Sequence, residues 1–140
     1  MIDTSSGEVR HEVVVAMTPK HVWPLVSEGA RMMEWIYDTR SLILEPRIGG
    51  RFEVDFGDAA FEGYVISCEP LRRMAFTWGS TTIANEPLGS SVVEITLARE
   101  GTSTRVTLVQ RGGPSSALAG NDEGWGVYLA RLAKVLGGAA

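Results

Sequence analysis

From Trp125 onward, apolar residues recur at Tyr128, Leu129, Leu132, Val135 and Leu136, at offsets i+3, i+4, i+7, i+10 and i+11. That is the period of a helix carrying one broad apolar stripe. Arg131 and Lys134 fall on the opposite side; Asn121 or Asp122 can cap the start, and Gly137-Gly138 can close the end. A helix from about Asn121 to Gly137 runs roughly 24 Å, enough to lie across a small sheet. Most of what precedes it has strand character, so this helix must be the lid of a β-rich body.

The rest of the chain fits that constraint. Glu8 to Ala16 is a Val-rich strand candidate. Thr18-Pro19 then opens a helix over Pro19–Ser27, with Thr18 as cap and Pro19 at its first position, placing Val22, Trp23 and Val26 on one face. Pro24 comes early enough for its missing N–H to cost little. Gly29 breaks the helix, and Ala30–Ile36 reads as a second short one. From Leu42 the period switches to two, with strands over Leu42–Glu45, Arg51–Phe56, Phe61–Cys68, Arg73–Trp78, Ser91–Arg99 and Ser103–Arg111. Gly57-Asp58, Glu69-Pro70 and Glu100-Gly101 supply turns, and Gly79 to Ser90 is a polar loop. The expected class is α+β: a curved antiparallel sheet of six to seven strands wrapped round the long C-terminal helix, with the short helices plugging one end. A sheet gripping one helix leaves an interior that side chains fill only partly. No repeat or linker interrupts the chain, so one domain over 8–140 is expected, after a flexible leader of residues 1–7.

Several classes of function are disfavoured. The net charge is −4, the pI is near 5.2 and the 13 Lys and Arg are scattered, which argues against nucleic acid. Cys68 is the single cysteine, so no internal disulfide can form and a reducing compartment is expected. No run of roughly 18 apolar residues exists to span a membrane. The first seven residues lack the basic and apolar regions of a signal peptide, so a cytoplasmic protein is expected. No His/Cys/Asp set has metal-ligand spacing. Gly49-Gly50 leads into a strand rather than a helix N-terminus, which makes it a turn and not a phosphate loop. No nucleophile–base pair stands out, so neither cofactor, metal nor catalytic residue is assigned.

The chain resembles the START-like (SRPBCC, birch-pollen-allergen-like) superfamily with its helix-grip fold, in the branch of activator of heat-shock-protein ATPase homologues (AHSA-type). The resemblance rests on Thr18-Pro19-Lys20-His21-Val22-Trp23, Pro46-Arg47-Ile48-Gly49-Gly50-Arg51-Phe52 and Phe61-Glu62-Gly63-Tyr64-Val65. Glu69-Pro70-Leu71-Arg72-Arg73, Phe76-Thr77-Trp78, Val93-Glu94-Ile95, Thr104-Arg105-Val106-Thr107-Leu108 and Glu123-Gly124-Trp125 continue it, over roughly residues 8–137. It implies the fold but not one function, because the superfamily hosts ligand carriers, aromatase/cyclases, hydrolase-like enzymes and co-chaperones. In relatives of this branch the last strand often ends in a His-containing segment; here it ends Val109-Gln110-Arg111-Gly112-Gly113. The additional N-terminal domain of the eukaryotic chaperone activator is also missing, which counts against a true co-chaperone role.

The candidate site is a set of cavity walls: Trp35, Phe52, Val54, Phe61, Tyr64, Phe76, Trp78, Val93, Leu108, Trp125, Tyr128 and Leu132. The competing reading is that these residues are simply packed core. Trp35, in the short-helix bracket, is placed at the pocket mouth, and Trp23 reads as core filler. If Val13 and Val15 face inward, alternation turns His11 inward too. Antiparallel pairing of first and last strands would then bring Gln110 close to His11, as a polar anchor pair or a weak base; a strand-end His in water is the alternative. His21 is expected to be exposed and Cys68 inert. Glu53, Asp55, Asp58 and Glu62 share one hairpin, but Glu53 and Asp55 alternate against Phe52, Val54 and Phe56 and should face solvent. The leading expectation is a protein binding a hydrophobic or aromatic small molecule between sheet and helix. The alternatives are an interaction module presenting its sheet face or the loop Gly79–Ser90 to a protein partner, and a cyclase- or hydrolase-like enzyme using His11.

Overall fold

The strands are β1 (Ile2–Asp3), β2 (Glu8–Val15), β3 (Ser41–Leu44), β4 (Arg51–Asp55), β5 (Ala60–Glu69), β6 (Arg73–Trp78), β7 (Ser91–Glu100) and β8 (Ser103–Gly112). The computed structural model that defines them describes residues 2–3 and 7–137. They form one antiparallel sheet in the order β1-β2-β8-β7-β6-β5-β4-β3. The first long strand pairs with the last, as expected. The eighth strand comes from the segment read as a leader: Ile2 pairs with Val9 and Asp3 with Glu8. Met1 and residues 4–6 of that segment lie outside the described residues, as does Gly138.

Alternation explains the inner face. Phe52 and Val54 on β4, Met74, Phe76 and Trp78 on β6, Val93, Ile95 and Leu97 on β7, and Val106 and Leu108 on β8 are all buried. Their polar neighbours Glu53 and Asp55 are half-buried on the other side. A register shift between Val65 and Ser67 of β5 interrupts the β5–β6 ladder, the kind of irregularity that bends a strand locally.

Helix α1 (Pro19–Ser27) has the expected bounds, with Thr18 in extended conformation before it. Its buried face is Val22, Leu25 and Val26, while Trp23 is only half-buried. Helix α2 (Gly29–Met32) is shorter than the sequence suggests. The reason is tertiary: Trp35 and Ile36 are drawn into the core, where the Trp35 indole donates to the Leu25 carbonyl at 2.7 Å. Beyond Met32 the chain follows that anchor rather than the helical period.

The closing helix α3 (Leu118–Val135) starts three residues before the expected cap. A 3₁₀ turn over Ser115–Ala117 feeds directly into it, so Asn121 and Asp122 lie inside the helix and cap nothing. Its 18 residues span about 27 Å. Leu118, Trp125, Leu129, Leu132 and Ala133 are buried against the sheet, with Arg131 and Lys134 outside. Gly137, at φ +90°, ends the helix in the left-handed region that an L side chain disfavours.

Candidate functional site

Under most of α3 the interior is filled. Phe52 and Phe76 stack with centroids 3.9 Å apart, and Val93, Ile95, Leu108 and Leu132 are fully buried around them. The expected open space is confined to one end, beneath the N-terminal half of α3. There a cleft of about 790 Å³ is bounded by α3, the β4–β5 turn, the end of β6, Asn85 and Glu86 of the following loop, and Asp38 and Arg40 before β3.

Five aromatic side chains of its lining form a closed circuit of ring contacts. Trp78 stacks on Phe61 at 4.5 Å, Phe61 meets Phe56 at 6.1 Å, and Phe56 lies parallel to Tyr128 at 6.3 Å. Tyr128 meets Trp125 edge-on at 6.1 Å, and Trp125 returns to Trp78 at 5.4 Å. Each spacing lies in the range where ring pairs attract through offset or edge contacts. Both indole donors are satisfied by the protein. The Trp125 N–H donates to Gln110 Oε1 at 2.7 Å, with Gln110 in turn donating to Ser91 at 2.9 Å, and the Trp78 N–H donates to Glu86 Oε1 at 3.2 Å.

The α3 side of the cleft stays open because side chains are missing. Gly120, Gly124 and Tyr128 follow one another at i, i+4 and i+8, on a single helix face. A Cβ added at Gly120 or Gly124 would meet nothing within 4 Å. Gly57, at φ +94°, makes the β4–β5 turn, and the Arg40 guanidinium lies across it. Burial pushes the Tyr128 hydroxyl pKa up, helped by the Asp38 carboxylate and by Tyr37.

Of the residues singled out from sequence, Phe61, Trp78, Trp125 and Tyr128 meet at this cleft. Phe52, Val54, Phe76, Val93, Leu108 and Leu132 are buried outside its lining, as the second layer behind it or the packed core. Trp35 is not at a mouth: it is fully buried, for the reason given above. Tyr64 is 62 % exposed on the outer face, in a groove of about 510 Å³ with Leu88, Arg51 and Glu53. Positions 61 and 64 are three apart on one strand and must point to opposite faces, so the two could never share a wall.

The His11–Gln110 pair does not form. His11 does face inward, but the register sets it opposite Leu108, with Gln110 opposite Val9. Gln110 answers the Trp125 indole instead, while His11 Nε2 lies 2.9 Å from Asp122 Oδ1 on α3. Gly126 makes room for the His11 ring, whose Cε1 would be 3.1 Å from an added Cβ. His11 thus ties β2 to α3 and does not line the cleft. Cys68 is half-buried, its Sγ 3.2 Å from the Pro46 carbonyl, and burial pushes its thiol pKa up. Among the described residues no acidic, His or Cys cluster could hold a metal, and no helix is long and apolar enough to cross a membrane.

Sequence reasoning missed Phe56, the two cleft glycines and the walls made by residues 38–40 and 85–86. Phe56 carried a signal, since it continues the alternation of Phe52 and Val54. The glycines carried one too, because each costs a helix stability without an evident reason.

A curved sheet gripping one C-terminal helix, with an aromatic cleft at one end of the grip, defines a helix-grip protein of the SRPBCC type. Residues 16–137 match the family described as Activator of Hsp90 ATPase homolog 1-like protein, and the chain belongs to that family. Protein MLL2253 from Mesorhizobium loti has the same fold, at 24% identity over 93% of this chain and 96% of that one, with a TM-score of 0.82. DynU16, from the dynemicin biosynthetic locus, is 28% identical with a TM-score of 0.78; the match covers 94% of this chain and 47% of DynU16. An HSP90 activator from Plasmodium falciparum is 13% identical over 93% of this chain and 96% of that one, with a TM-score of 0.74. No curated protein matches the chain.

Proposed function

We propose that this protein binds a flat hydrophobic or aromatic small molecule in the cleft at the N-terminal end of α3. The observation that carries the reading is the contact circuit of Trp78, Phe61, Phe56, Tyr128 and Trp125 in the lining of a cleft of about 790 Å³. Concave, aromatic-lined sites with a few polar groups are where small molecules bury most of their surface. With both indole N–H groups already bonded, ring insertion strips no hydrogen bond from the tryptophans. Two helix glycines keep the space open at a cost in helix stability, which a purely structural end-cap would not require. The test is a thermal-shift and tryptophan-fluorescence titration with uncharged bicyclic aromatics, on the native chain and on Gly124→Leu. Saturable stabilisation and quenching, lost in the variant, support the reading. No response in the native chain, or an undiminished one in Gly124→Leu, would refute it.

A second reading, interaction with an Hsp90-type chaperone, is favoured by the family and by Tyr64 and Leu88, which stand 62 % and 54 % exposed in the outer groove. Deleting the loop Gly79–Ser90 does not separate the two readings, because Asn85 and Glu86 wall the cleft. A Tyr64→Ser/Leu88→Ser variant does: it should abolish chaperone capture while leaving aromatic binding intact.

A further inference from the structure

We infer that the cleft is built for a cationic ligand, an amine or ammonium group carried on an aromatic or apolar frame. The inference rests on the ligand-binding reading above and specifies the chemistry of that same site. Four ionisable side chains other than Tyr128 line the cleft: Asp38, Asp58 and Glu86 against the single guanidinium of Arg40. Glu86 matters most. It is only 9 % exposed, yet no cation pairs with it among the described residues, and its one protein hydrogen bond from a side chain is the Trp78 indole on Oε1. Ser90 Oγ is the only sealed, unpartnered side-chain polar atom among the described residues, so the second Glu86 oxygen keeps contact with solvent, and Glu86 is one of the residues that line the cleft.

A carboxylate this buried costs free energy unless a positive charge or several hydrogen bonds offset its lost hydration. The protein supplies one neutral donor; a ligand that fills the cleft strips solvent from the other oxygen, and an ammonium offsets that loss. The rings point the same way. An indole offers a positive N–H edge and a negative π face. Here both N–H edges are taken, by Glu86 and Gln110, and one face of Trp78 is spent on Phe61, so whatever aromatic surface the lining still offers a ligand is π-rich, and such surface attracts cations. Arg40 lies across the Gly57 turn at the rim and does not pair with Glu86. An anionic ring would meet one favourable charge and three unfavourable ones.

The experiment is calorimetric titration with three probes sharing one frame: naphthylmethylammonium, naphthylmethanol and naphthoate. The ammonium should bind at least about tenfold tighter than the alcohol, equivalent to about 1.4 kcal/mol, with the carboxylate weakest. Glu86→Gln keeps a carbonyl oxygen for the Trp78 N–H, and should bring the ammonium to within about twofold of the alcohol. The probe ranking on the native chain decides the matter even if that variant fails to fold. An alcohol or carboxylate that binds as tightly as the ammonium overturns the cationic assignment while leaving the cleft reading intact, and so does a full ammonium preference in folded Glu86→Gln. If none of the probes binds, or all bind Gly124→Leu unchanged, both fail together.

Discussion

Replacing Gly124 by alanine should make this protein more stable. Gly124 lies in the interior of the 18-residue helix α3, where glycine costs roughly 0.5–1 kcal/mol relative to alanine through backbone entropy. The usual reason to keep a buried helix glycine is that a neighbour occupies the place of its Cβ, but at Gly124 nothing lies within 4 Å of that position. The full propensity gain should therefore appear, as about 0.5–1 kcal/mol in urea unfolding and roughly 2–4 °C in Tm. Gly120 has the same open space but lies in the first helical turn, where fewer backbone bonds depend on it, so its gain should be smaller. Gly126→Ala is the internal control. Its Cβ would approach His11 Cε1 to 3.1 Å and press on the ring that reaches Asp122, so its gain should be cancelled or reversed. Loss of stability in Gly124→Ala, or equal gains at 124 and 126, would refute the reasoning that an open cleft borders this face.

Other consequences follow from the same geometry. Trp125→Phe leaves buried Gln110 Oε1 without its donor and should cost about 1–3 kcal/mol in urea unfolding, part of which Gln110→Leu restores in the double variant. Phe52→Ala should cost about 3–5 kcal/mol, because that ring is fully buried and stacked on Phe76, whereas Tyr64→Ala on the outer face should stay within about 0.5 kcal/mol. Tyr128 should ionise above the ordinary tyrosine value of about 10 in an absorbance titration of tyrosinate, and Tyr128→Phe should remove that late component. The sign for stability follows: the unfolded chain loses this proton first, so Tyr128 lowers stability as pH rises past that ordinary value.

The strand–helix pattern was legible because each period is enforced by burial on one face. The turn at Gly57-Asp58 and the helix over Pro19–Ser27 carry strong local chemistry and lie where that chemistry puts them, while the last hairpin turns at Gly101-Thr102, one residue beyond the expected Glu100-Gly101. The errors arose where distant contacts outweighed local signals. Asn121-Asp122 looks like a cap, yet the 3₁₀ turn at Ser115–Ala117 starts the helix earlier, and Asp122 reaches His11 instead. The depth of Trp35 depends on an acceptor, the Leu25 carbonyl, that no sequence pattern reveals. Gln110 lies two ladder pairs along from His11, and the indole of Trp125 on another element decides what it binds. The position of the open space was the least legible feature. It depends on two glycines facing a turn and a loop brought together by the curl of the sheet.

The most direct measurement is a two-dimensional NMR titration of the native chain with naphthylmethanol, whose neutrality makes it independent of any charge preference. Ring and indole N–H signals of Phe56, Phe61, Trp78, Trp125 and Tyr128 should shift together and saturate, while those of Tyr64 and Leu88 on the outer face stay still. Shifts confined to the outer groove, or a spectrum that does not respond at all, would contradict the assignment of the cleft as the binding site.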